Sequence, residues 1–88
     1  MAMEFDPAAY DAKTALDAVN PRMADRVDEW LDQLEADHTQ AIVRRHRLHQ
    51  PALWMILVKA SDGDDYTILW DLDGDTVAIR YIGPDVFH

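Results

Sequence analysis

The chain has no cysteine, which excludes disulfides and thiolate chemistry and fits a reducing compartment. It has only three glycines, and none is arranged as a phosphate-cradling loop. Zinc-type ligand spacing is also missing. No apolar run approaches the roughly 20 residues that a membrane helix needs. Residues 1–10 have neither a basic flank nor an apolar core, so they do not read as a signal peptide, and the cytoplasm is the expected setting. Basic residues are scarce: eight lysines and arginines stand against 17 carboxylates, for a net charge of −9. Such a chain repels polyanions at long range, which weighs against non-specific nucleic-acid binding. No cofactor, metal or membrane partner is expected.

What is there is globular. Hydrophobic residues make up 49% and charged residues 28% of the 88, a composition that folds. A chain of this size buries roughly 60–65% of its unfolded surface, enough for one modest core, so residues 1–88 are expected to form one domain.

The charge is unevenly placed. Residues 1–40 carry −7, residues 41–60 carry +4 with no acid among them, and residues 61–88 carry −6. The basic island includes Arg44, Arg45, Arg47 and Lys59, with His46 and His49 between them, and it surrounds Leu53–Val58, the longest apolar run. Two readings of the arginines stand: they pair with acids on neighbouring helices, or they act locally on a ligand.

Taken in order, Asp6-Pro7 reads as an N-cap followed by proline at the first helical position, predicting a helix over about 7–19. Asn20-Pro21 repeats the signal and predicts a second helix over about 21–36, whose Met23, Val27, Trp30, Leu31 and Leu34 form one apolar stripe. His38 falls in the polar break that follows and reads as a loop residue. The period then changes to that of strands, expected at about 43–48, 53–59, 66–72 and 76–82. Asp73-Gly74 is the expected two-residue hairpin turn. It is not a calcium loop, because glycine and glutamate do not fall at the positions such a loop requires. The expected fold class is α+β: an N-terminal helical hairpin on one face of a four-stranded, mainly antiparallel sheet.

Alternation sorts the strands into faces. Trp54, Ile56, Val58, Ile68, Trp70, Leu72, Val77, Ile79 and Tyr81 are expected under the helices. Met55, Leu57, Thr67, Leu69, Arg80 and Ile82 are expected on the other face, whose apolar middle would form an exposed patch. Phe87, near the end of the sequence, either covers that patch or belongs with it.

Two helices, a basic strand, a strand led by Leu53-Trp54, a strand led by Tyr66 and a final Val77-x-Ile79-x-Tyr81-Ile82-Gly83 together resemble the RelE/ParE toxin superfamily. These are the small toxins of bacterial toxin–antitoxin pairs. The resemblance spans nearly the whole chain and implies the helical hairpin on one sheet face. It also implies an acidic antitoxin as partner, and either messenger RNA cleavage on the ribosome or inhibition of DNA gyrase. The chain departs from the ribonucleases at the positions that matter. Met55 and Leu57 stand where the family alternates basic residues, Thr67 follows Tyr66 where an arginine is usual, and Gly83 leads into Pro84-Asp85 instead of a basic pair. Phe87 is the aromatic near the end, and it lacks a hydroxyl.

Cutting RNA requires a base for the 2′-hydroxyl, a cation for the phosphate charge and an acid for the leaving oxygen. The residues available for a metal-independent endoribonuclease are His46, His49, Arg80 and His88, with Arg44, Arg45, Arg47 and Lys59 as RNA contacts. The competing expectation is a protein-binding face made of Met55, Leu57, Thr67, Leu69, Ile82 and Phe87. That face would take an antitoxin or a second copy of the chain.

Overall fold

The computed structural model describes residues 3–49, 52–60 and 63–85. In order these form strand β1 (Met3–Phe5), helix α1 (Pro7–Val19), helix α2 (Pro21–Ala36) and a 3-10 turn (Ala41–Val43). Strands β2 (His46–His49), β3 (Ala52–Val58), β4 (Tyr66–Asp73) and β5 (Thr76–Pro84) follow. The expected α+β architecture is present, with both helices at the expected positions.

One residue joins the two helices. The Asn20 N–H donates to the Leu16 carbonyl and closes α1. Its side-chain oxygen accepts from the Met23 N–H at 3.3 Å and opens α2, satisfying a donor that the first turn leaves without a partner. The stripe of α2 buries Met23, Val27, Leu31 and Leu34 against Ile56, Val58, Ile68, Trp70, Val77 and Ile79. Each such aliphatic side chain contributes about 1.5–3 kcal/mol by leaving water.

The sheet has five strands, in the order β1-β5-β4-β3-β2. The strand added to the four expected is β1, which runs parallel to β5 with Met3 opposite Val77 and Phe5 opposite Ile79. Three residues are too few to show a period, so only pairing reveals it. The remaining strands are antiparallel neighbours.

Two local expectations are corrected. The strand expected over 43–48 is a 3-10 turn through Val43 followed by a strand that begins at His46. Val43 is fully buried, and its carbonyl accepts the Trp70 indole N–H at 3.1 Å, which pins the chain before it can enter the sheet. The β4–β5 loop is Gly74-Asp75, one residue later than expected, because Asp73 pairs with Thr76. Gly74 has φ +61°, the conformation that a type II′ turn asks of its first loop residue.

A bulge has the widest consequence. Leu69 faces Tyr81 and Trp70 faces Ile79, leaving Arg80 as an extra residue on β5. An inserted residue reverses the alternation beyond it. Ile82 therefore joins the main core, while Tyr81 packs with Leu53, Met55 and Leu69 on the opposite face. Both assignments are the reverse of the strict-alternation expectation. On β3 and β4 the expected alternation is present, with Ile56, Val58, Ile68 and Trp70 in the main core and Met55 and Leu69 away from it.

Candidate functional site

The sheet face turned from the helices carries one continuous row across four strands: His46 opposite Met55, Met55 opposite Leu69, and Leu69 opposite Tyr81. A shorter row beside it runs Leu57, Thr67, Gly83 and does not reach β2. Met55 and Leu69 are only 7% and 5% exposed, because Leu53, Leu48 and Tyr81 pack around them. The apolar surface expected there is thus mostly filled from within the face, and Leu57 remains half-buried. Thr67 is fully buried and donates its hydroxyl to Asp85 at 3.0 Å, so it has no surface to offer a partner. Ile82 is withdrawn to the main core by the bulge. Phe87 lies outside the described residues.

Tyr81 takes a central place that strict alternation does not give it. Its ring lies over Gly83, where an added Cβ would stand 2.5 Å from the hydroxyl oxygen. Its hydroxyl donates to the Pro84 carbonyl at 3.0 Å. Burial first, then the nearby Tyr66 and Asp85, push its pKa above the ordinary tyrosine value. In the sequence the only trace of this is Tyr81-Ile82, two apolar residues in succession where alternation allows one.

The cations are mostly engaged. Arg80 donates from Nε to Asp71 at 2.8 Å and from its terminal nitrogen to Asp6 at 3.1 Å. The Asp71 hydrogen bond is the larger reason that its pKa is raised, and Asp6 adds to it, with burial working against both. Asp6 thereby serves the sheet and makes no side-chain cap on α1. Lys59 pairs with Asp65 at 3.1 Å, and Asp65 also accepts the Ala60 N–H at 2.9 Å.

The arginines of the basic island divide. Arg44 turns back on the loop after α2, donating from Nε to the His38 carbonyl at 2.7 Å and lying 2.8 Å from His38 Nδ1. Its guanidinium lies 4.5 Å from the Trp54 ring centroid, and that of Arg47 lies 4.4 Å from it. Trp54 in turn stacks on Trp70 at 4.7 Å. These contacts are cation–π and aromatic interactions in the flank of the fold. His38, read as a plain loop residue, therefore helps to hold Arg44. Arg45 is exposed and has no ion pair among the described residues.

The histidines are not brought together. On β2, His46 shares a face with Leu48, and His49 shares the opposite face with Arg47. His46 and the β5 strand that carries Arg80 are three strand spacings apart, about 14 Å. His88 lies outside the described residues. Among the described residues no group of three or more histidines and carboxylates is placed to hold a metal ion. Among the same residues no helix is long and apolar enough to cross a membrane.

No protein-family model matches the chain, and no curated protein sequence matches it. Among solved structures it is similar to the YoeB/ParE toxin from Agrobacterium tumefaciens, with a TM-score of 0.73 and 9% sequence identity. The match covers 97% of this chain and 99% of that one. At this identity the likeness is one of fold, carried by helix and strand order and not by side chains.

Proposed function

We propose that this chain, which has the fold of the RelE/ParE toxin superfamily, acts by binding a protein and not by cutting RNA. The binding side is the sheet face turned from the helices together with its β2–β3 margin. The observation that carries this is Arg80 held between Asp71 and Asp6. A cation neutralised by two carboxylates is a poor stabiliser of charge building on a phosphate. His46, the histidine that β2 gives to that face, stands on the outermost strand and far from Arg80. A base and a cation that converge on one phosphate are therefore not supported as the working parts. The half-buried Leu57 and the exposed Arg45 are suited to protein contact. An acidic antitoxin, the partner that the fold family suggests, fits the sign of the margin's charge. The expected setting is the cytoplasm.

The test is inducible, affinity-tagged expression in a bacterium, with growth followed and copurifying proteins identified. A stoichiometric partner lost on Leu57→Asp and retained on Arg80→Ala is the expected result. RNA cleavage by the purified chain or by ribosomes programmed with it, abolished by His46→Ala or Arg80→Ala, would overturn the reading. A gyrase inhibitor is one form of the same reading, since it too works by protein contact, and a supercoiling assay identifies it.

A further inference from the structure

The 3-10 turn at Ala41–Val43 sends one large apolar side chain outward. Val43 is fully buried, and its carbonyl holds the Trp70 indole N–H. With three residues per turn, the residue beside a buried one points about 120° away from it. Ile42 is accordingly 47% exposed.

An open depression of about 630 Å³ lies here, lined by Ala41, Ile42, Arg44 and Arg45. That volume falls within the range of small-molecule sites. Its lining includes no carboxylate, in a chain of net charge −9. Neither arginine forms an ion pair among the described residues. The depression therefore joins an apolar wall to two cations whose charge no acid of the chain offsets.

The two arginines are not equivalent. Arg44 is fixed in place, with Nε and one terminal nitrogen on His38 and its guanidinium against Trp54. Arg45 is exposed and keeps its whole planar fork. Such a fork matches the two oxygens of a single carboxylate. Arg44 adds a positive charge that is already ordered, so less freedom is lost on binding. A phosphate has three oxygens to satisfy, and one full fork beside a partly engaged one suits it less.

We propose that the depression at Ala41–Arg45 binds a small organic carboxylate. The charge lies against Arg45, with Arg44 behind it, and the apolar body lies against Ala41 and Ile42. This goes beyond the protein-binding reading and does not depend on it.

The experiment uses the full chain and three small probes, followed by amide spectra in nuclear magnetic resonance. Benzoate carries both charge and apolar body, acetate the charge alone, and benzyl alcohol the body alone. Saturable shifts at Ala41–Arg45 are expected with benzoate, at an affinity at least tenfold tighter than with either other probe. Arg45→Ala is expected to weaken benzoate about tenfold, and Ile42→Ser to weaken it as well. Both positions are exposed, and circular dichroism confirms that the variants keep their fold. The three-probe comparison on the parent protein tests the proposal without any variant. Shifts that do not saturate or that map elsewhere, acetate binding as tightly as benzoate, or an affinity unchanged in either variant would each overturn it. Phenyl phosphate binding more tightly than benzoate would overturn the choice of carboxylate. Failure to recover a protein partner from cells leaves all these outcomes in place, so the two readings fail separately.

Discussion

Tyr81 lies directly across the ladder from Leu69, and one residue before it Arg80 faces no residue of β4. Everything beyond that point on β5 is turned over, which puts Ile82 inside and Tyr81 on the face away from the helices. Ile82→Ala is therefore expected to lower stability by about 2–4 kcal/mol. Tyr81→Phe removes one hydrogen bond and is expected to cost about 1 kcal/mol. Urea unfolding of the two variants checks both values, and a well-tolerated Ile82→Ala would contradict the bulge.

The closeness of Tyr81 to Gly83 makes a second prediction. A Cβ at position 83 would stand 2.7 Å from the ring carbon that carries the hydroxyl, so Gly83→Ala forces the ring aside and is expected to cost about 1–3 kcal/mol. In a Tyr81→Ala background the same change should cost almost nothing. A double-mutant cycle measures the difference, and simple additivity would refute the contact.

Arg44 holds the loop after α2 by two bonds to His38 and lies against the Trp54 indole. Arg44→Ala is expected to destabilise the fold by about 2 kcal/mol and to shift tryptophan emission to the red as Trp54 meets water. Arg44→Lys should not restore the loss, since an ammonium lacks the planar fork that reaches the carbonyl and the ring together.

The Arg80 pairs are partly exposed, with side-chain exposures of 34% for Arg80, 42% for Asp6 and 28% for Asp71. Their worth to stability is correspondingly small, about 0.5–1 kcal/mol for the Asp6 pair. Asp6→Asn is expected to show that loss at low salt and to approach the parent protein near 1 M salt, where screening reaches about 3 Å. Denaturation at the two salt concentrations distinguishes this from a capping effect on α1, which salt would leave in place.

Tyr81 sets an alkaline limit. Its pKa is raised in the fold by burial, then by Tyr66 and Asp85, so above the unfolded value of about 10 the unfolded chain loses a proton that the folded chain keeps. Stability should therefore fall as pH rises through and beyond that value. Tyr81→Phe should flatten the decline, and tyrosinate absorbance of the parent should include one late-titrating tyrosine.

Helix caps and the α2 stripe were legible because Asp6-Pro7, Asn20-Pro21 and the spacing of Met23, Val27, Leu31 and Leu34 are local signals. Alternation on β3 and β4 was legible for the same reason. The fates of Arg80, Tyr81 and Ile82 were not, because a bulge is a relation between two strands and leaves the sequence of one unchanged. β1 was hidden by its length, and the break before His46 by a bond from Trp70, distant in sequence. The basic island was legible as a cluster of charge but not in its contacts, which depend on distant residues: Arg44 and Arg47 lie against Trp54, and His46 and His49 face opposite ways.

The parallel seat of Met3–Phe5 beside Val77–Ile79 ties the order of synthesis to the order of folding. A ribosome releases residues 3–5 long before Val77–Ile79, their strand neighbour among the described residues, so that pairing cannot form until β5 has been made. Closing so wide a loop adds little stability and much delay. Until it closes, the β5 margin lacks its parallel neighbour, and an unpaired strand edge is a template for pairing with other chains.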